Sequence, residues 1–189
     1  MKKEIYYATS NSVKFEEVKL YLDEHHPDIE LKQFKEDIVE PQSDNQQDIA
    51  IFKAKQAWDK LKKPVLVDDS GIFIHKYKNF PGTLTKPIYQ SLGMANIAKL
   101  YDDNEPASFI LTMVYIYGPD KYKIFENESS GILKKFNEWH EDPVAPFEYN
   151  FVPNGVDKTY TELRKSGEIQ QYKYRIGALK KFLKWYEGH

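Results

Sequence analysis

Short apolar runs alternate with amphipathic stretches along the first half of the chain, and the changes of period between them mark its elements. Residues 5–8, Ile-Tyr-Tyr-Ala, precede the polar Thr9-Ser10-Asn11-Ser12, which predicts a buried strand and a turn. Over residues 13–22 the spacing of Phe15, Val18 and Leu22, with Glu16, Glu17 and Lys19 on other faces, predicts an amphipathic helix. Asn11 or Ser12 can cap it, and His25-His26-Pro27 ends it. Ile29, Leu31 and Gln33 alternate with charged residues, as in a strand with one wet face. A polar loop over 42–47 leads to a second helix over about 48–60, with Ile49, Phe52 and Trp58 on its apolar face.

The middle of the chain is richer in strands. Val65-Leu66-Val67 runs into Asp68-Asp69-Ser70-Gly71 and then Ile72-Phe73-Ile74, which reads as strand, acidic turn, strand. A loop over 79–83 precedes a helix over 88–100 anchored by Leu92, Ile97 and Leu100. Residues 109–117 are strongly β-prone, Gly118-Pro119-Asp120 is a turn, and 122–129 return as the partner strand. Phe147, Tyr149 and Phe151 at alternate positions suggest one packed face of an extended segment. Tyr174-Arg175 opens a closing helix marked by Ile176, Leu179, Phe182, Leu183 and Tyr186. Helices near both ends around a strand-rich middle predict a mixed α/β fold.

Composition narrows the function classes. Cysteine is absent, which excludes a disulfide scaffold, a thiolate nucleophile and a thiolate metal site. The net charge of -2 argues against a protein built to hold nucleic acid, although a local basic cluster can still meet a small anion. No apolar run approaches a membrane span or a signal peptide, so a cytoplasmic protein with no membrane partner is expected. Among 27 basic residues only Arg164 and Arg175 are arginine, the side chain whose planar fork suits specific recognition.

Several segments carry candidate chemistry. Hydroxyls, an amide and helix N–H groups converge at Thr9-Ser10-Asn11-Ser12, a setting suited to phosphate or ribose, and equally to a plain helix cap. Lys14 stands in the first turn, where the helix dipole disfavours a cation unless an anion is near. The adjacent Asp68 and Asp69 repel each other unless a cation intervenes, so they suit a hard metal ion such as Mg²⁺, or else form a solvated acidic turn. Glu40 is a possible third oxygen ligand. Phe147 or Tyr149 can stack on a base or fill a core. Arg175 at a helix start needs an anion, whether a ligand or an ordinary ion-pair partner. No HxH or HExxH spacing supports a zinc hydrolase.

In order along nearly the whole chain, these segments resemble the inosine triphosphate pyrophosphatase (Ham1-like) family. Thr9, Asn11, Lys14 and Glu17 look like its T-x-N-x-x-K-x-x-E, and Glu40 and Lys53 match an acidic residue and a lysine that follow. Residues 65–71 look like its V-x-[DE]-D-[ST]-G, Pro81-Gly82 and Lys86 like its P-G loop and later lysine, and Ser130-Gly131-Ile132 like its G-x-I turn. Residues 158–163 resemble its K-T-x-A-E-[LM]. The resemblance implies one elongated α/β domain over residues 1–189, with two lobes around a central mixed sheet and an active-site cleft between them. It implies Mg²⁺-dependent hydrolysis of ITP, dITP or XTP to the monophosphate and pyrophosphate, by a homodimer. On that basis Asp69 would activate water, and Glu40, Asp68 and Asp69 would hold Mg²⁺. Thr9, Asn11, Lys14, Lys53, Ser70 and Lys86 would meet the nucleotide, Phe147 or Tyr149 would stack on its base, and Asn150, Tyr174 and Arg175 would line the base site.

The departures cluster. Glu148 and Asn150 replace the glycine and aspartate of F-G-[YW]-D-P, whose proline is missing, and Lys173-Tyr174 replace the Ser-His of S-H-R. Glu168 and Ile169 stand near where a lysine is expected. All of these fall in the base-recognition half, which implies altered base selectivity. The alternatives are a weakly catalytic nucleotide-binding relative, or a partner-binding protein that uses its 15% aromatic content as an interface.

Overall fold

In the computed structural model, which describes residues 2–136, 145 and 147–188, the elements at the N-terminal end follow the order that the hydrophobic pattern predicts. Strand β1 (Lys3–Ala8) leads to helix α1 (Ser12–His25), strand β2 (Ile29–Phe34), helix α2 (Gln46–Leu61) and strand β3 (Val65–Ile74). Both β2 and β3 pair with β1 in parallel, so β1 lies between them. The chain therefore steps from β1 outward to β2 and then back past β1 to β3. Right-handed crossovers in opposite directions put α1 and α2 on opposite faces of the sheet. The packing agrees: Ala50, Ala54 and Ala57 of α2 cluster with Ala8, Val65 and Val67, whereas α1 serves the face that carries Tyr7 and Asp68.

The remaining elements are strand β4 (Pro81–Gly82), helices α3 (Thr85–Leu92) and α4 (Met94–Ile97) with a 3₁₀ turn after it, strands β5 (Glu105–Gly118), β6 (Lys121–Leu133) and β7 (Phe151–Pro153), helix α5 (Tyr160–Lys165), a second 3₁₀ turn, and helix α6 (Tyr174–Tyr186). The sheet is mixed, in the order β2-β1-β3-β5-β6-β7, with β4 paired antiparallel to β3. The chain divides into two compact units. One holds Met1–Asp69, Leu111–Asn127 and Arg175–His189; the other holds Ser70–Ile110 and Glu128–Tyr174. In the first, Phe182 of α6 meets Tyr115, on the sheet face opposite Val114 and Ile116. In the second, Phe109 stacks on Tyr174 at 4.8 Å and meets Phe151 edge-on at 4.9 Å. Among the described residues no helix is long and apolar enough to cross a membrane.

Four sequence expectations are corrected. Residues 68–71 are not a turn but the middle of β3, because cations on both faces satisfy the alternating carboxylates. Phe52 lies 46% exposed, and the small residues Ala50, Ala54 and Ala57 form the packed face of α2 instead. The helix expected over 88–100 starts at Thr85 and breaks at Gly93, whose φ of 68° favours glycine. That break leaves Leu92 40% exposed and turns Met94 and Ile97 into the core. Phe147–Asn150 form a turn rather than an extended stretch, closed by the Asn150 N–H on the Phe147 carbonyl at 3.2 Å.

Candidate active site

The winding places the candidate site. In an open α/β sheet, ligands bind beyond the carboxyl ends of the strands, where successive crossovers leave in opposite directions. Here that point is the end of β1 beside β3. Ala8 closes β1 opposite Val67, so Thr9 and Asp68 are the next residues on each strand. The groups around Asn11, Asp68 and Asp69 that are described next lie within the first compact unit.

Asn11 caps α1, its side-chain oxygen accepting from the N–H groups of Val13 at 2.9 Å and Lys14 at 3.2 Å. The Thr9 hydroxyl accepts from the Asn11 N–H at 3.2 Å, and the Thr9 carbonyl accepts from Gln33 at 2.9 Å. This fixes the loop between β1 and α1. It also realises the cap that the sequence offered as an alternative to a phosphate site.

Successive residues of a strand point to opposite faces, and Asp68 and Asp69 obey that rule. Asp68 turns toward α1 and α6. Its Oδ1 accepts from Lys14 Nζ at 2.8 Å, and its Oδ2 accepts from the Tyr7 hydroxyl at 2.8 Å and from Arg175 Nε at 2.7 Å. Arg175 also ion-pairs with Glu17 through Nη1. Asp68 and Arg175 are almost wholly buried. Burial pushes the Asp68 carboxyl up, but the Lys14 and Arg175 charges outweigh it and hold it far below the usual carboxylate range. Burial, with the Asp68 charge beside it, pushes the Tyr7 hydroxyl well up, so it remains a donor. The two cations expected to need an anion at helix starts thus share one internal carboxylate.

Asp69 turns toward α2. Lys53 Nζ meets Asp69 Oδ1 at 3.2 Å, Glu40 Oε1 at 2.9 Å and the Asp68 carbonyl at 3.0 Å. Gln46 Nε2 reaches Asp69 Oδ2 at 3.4 Å. Gln46 and Lys53 are seven residues apart and share the buried face of α2. Burial pulls the Lys53 ammonium down, and Asp69, Glu40 and Asp68 outweigh it, so it stays charged.

The expected trio of metal ligands is therefore divided. Glu40 and Asp69 converge on Lys53, and two carboxylates around one ammonium leave excess negative charge, a donor set that fits a hard cation. Asp68 lies on the other face, and its charge is balanced within the Lys14, Arg175 and Glu17 set. No cluster of three or more His, Asp or Glu side chains that could hold a metal occurs among the described residues.

The other named residues lie in the second unit. Ser70 follows Asp69 on β3, and Lys86 sits exposed in the first turn of α3. Gly71 is required where β4 approaches, because a Cβ there would meet the Gly82 carbonyl oxygen at 2.2 Å. Phe147 is buried, whereas Tyr149 is half-buried and packs against Phe136 at 4.9 Å. Asn150 is buried and donates its side-chain amide to the Lys134 carbonyl at 2.9 Å. Tyr174 is buried against Phe109. Two departures from the family pattern meet directly: the Glu148 carboxylate ion-pairs with Lys173 and takes Arg164 at 2.8 Å and 3.1 Å.

Sequence reasoning missed Tyr7 and Gln46. Tyr7 is a hydroxyl inside an apolar strand and shares its face with Ile5 two residues earlier. Gln46 falls in the polar stretch 42–47 that reads as loop, yet its seven-residue spacing from Lys53 is a usable helical signal.

The comparisons with known proteins agree with this architecture. The model of the Ham1 family matches residues 5–185. The chain is 30% identical to a dITP/XTP pyrophosphatase of Methanopyrus kandleri, over 98% of this chain and 97% of that protein. It is 31% identical to a dITP/XTP pyrophosphatase of Ignicoccus hospitalis, over 98% of each. A Ham1 protein structure from Coxiella burnetii superposes with a TM-score of 0.76 at 22% identity, covering 99% of this chain and 100% of that one, which shows a shared fold. The family match spans almost the full sequence, and the chain belongs to the Ham1 family.

Proposed function

We propose that the protein hydrolyses a nucleoside triphosphate to its monophosphate and pyrophosphate, with Mg²⁺. The observation that carries this reading is the convergence of Glu40 and Asp69 on Lys53, at the middle of β3 beside the carboxyl end of β1. The relatives named dITP/XTP pyrophosphatases support the same chemistry. Water attacks the α-phosphorus, the bond from that phosphorus to the bridging oxygen breaks, and pyrophosphate leaves. Asp69 takes the proton from the attacking water, and Lys53 and Gln46 hold its carboxylate in place. The Thr9 hydroxyl and the Lys14 ammonium supply donors for phosphate oxygens. Glu40 and Asp69 would hold Mg²⁺, which supplies charge neutralisation at the phosphates.

The base selectivity differs from ITP and XTP in this reading, because the Glu148 and Lys173 substitutions form a buried ion pair in the segments that resemble base readers. A homodimer is the assembly we assign, on the family resemblance, and light scattering on the purified protein tests it. The test of function is product analysis with Mg²⁺ over ordinary, deaminated and modified nucleoside triphosphates. Monophosphate and pyrophosphate in equal amounts are expected. Diphosphate with orthophosphate, or binding without turnover across the whole panel, overturns the reading. Asp69→Asn is expected to abolish turnover and leave the fold intact.

A further inference from the structure

We infer that Asp68 is a positioning residue that aims Lys14 at the substrate phosphates, anchored in turn by Tyr7 and Arg175, and that it is not a metal ligand. This rests on the pyrophosphatase reading of the same site. Both Asp68 oxygens are engaged by protein donors, at 2.7–2.8 Å, from three different elements: β1, α1 and α6. Its side chain is 2% exposed, so no face remains for a ligand from solvent. Lys14 is different. Its side chain is 23% exposed, and an ammonium has three donors, of which Asp68 takes one. A lysine stem is flexible, and holding its head on a fixed buried carboxylate removes much of that freedom before substrate arrives. Arg175 shares the anchoring role. It is 3% exposed, and its guanidinium is divided between Asp68 and Glu17, so it ties α6 to α1 and β3. Tyr7 completes the support with a neutral hydrogen bond from the neighbouring strand.

A residue that acts through another shows it by coupling. The experiment is a double-mutant cycle of Asp68→Asn with Lys14→Met, read as kcat/KM on the substrate that the wild type turns over, with Mn²⁺ binding followed by electron paramagnetic resonance on the same proteins. Each single change is expected to lower kcat/KM by about tenfold or more, and Asp68→Asn is expected to add less than about twofold in the Lys14→Met background. Mn²⁺ affinity of Asp68→Asn is expected to stay within about twofold of wild type. Effects that multiply, an unchanged kcat/KM in Asp68→Asn, or a tenfold loss of Mn²⁺ affinity would each overturn the inference. If Asp68→Asn does not fold, Tyr7→Phe replaces it in the cycle with the same expected coupling at smaller amplitude, and independence from Lys14→Met overturns the inference. A wild type that hydrolyses no nucleoside triphosphate sinks the proposed function instead, and the Mn²⁺ arm still decides whether Asp68 holds metal.

Discussion

At the residue scale, two adjacent carboxylates have opposite surroundings. Asp68 is buried with its charge balanced, and Asp69 faces a cluster with an excess negative charge. The folded Asp68 carboxyl titrates far below its ordinary value of 3.8, so its contribution to stability is complete above about pH 4 and is lost as pH falls through the acid range. Acid unfolding followed by circular dichroism should therefore flatten in Asp68→Asn relative to wild type, on top of any uniform loss of stability. The Glu148 cluster makes a second prediction. Glu148→Gln leaves Lys173 charged with its side chain 1% exposed, and should destabilise by about 3 kcal/mol in urea melts. Adding Lys173→Met removes the stranded charge and should recover most of that loss. A double variant no more stable than the single one would show that the pair does not act as a unit.

Caps and spacing govern at the element scale. Asn11 and Asn45 cap α1 and α2 through side-chain oxygens, and Thr159 with Glu162 forms a reciprocal capping box on α5. Thr159→Ala should cost about 1 kcal/mol in thermal or urea unfolding, and Thr159→Ser only a few tenths, roughly, since the hydroxyl is kept. These helices were readable because caps and apolar periodicity are local properties. The form of β3 was not. Acidic residues and glycine are disfavoured in strands, and Asp68-Asp69-Ser70-Gly71 carries both signals. The strand persists because Lys14 and Arg175 on one face and Lys53 on the other come from helices distant in sequence.

Connectivity decides what can fold at the scale of the whole molecule. The first compact unit draws on three separate stretches of chain, and the last of them supplies Arg175 and α6. A fragment of residues 1–69 keeps Asp68 but loses Arg175, together with the part of β5 that lies beside β3 and packs with α2. It should be largely unfolded by circular dichroism and amide exchange at neutral pH. A cooperative melt of that fragment would contradict this account of the core.

By itself the sequence determined the α/β class, most element positions, the helix caps, and the family resemblance that groups Glu40, Asp68 and Asp69 with Lys14 and Lys53. Each of these rests on residue type and short-range spacing, which a linear chain displays directly. Only the tertiary structure decided which carboxylate meets which cation. That choice depends on the opposite crossovers that put α1 and α2 on different faces of the sheet, and on α6 returning Arg175 to Asp68 across 107 positions of sequence. The alternation of a strand then does the rest: one residue of offset separates the buried, charge-balanced Asp68 from Asp69, which shares Lys53 with Glu40.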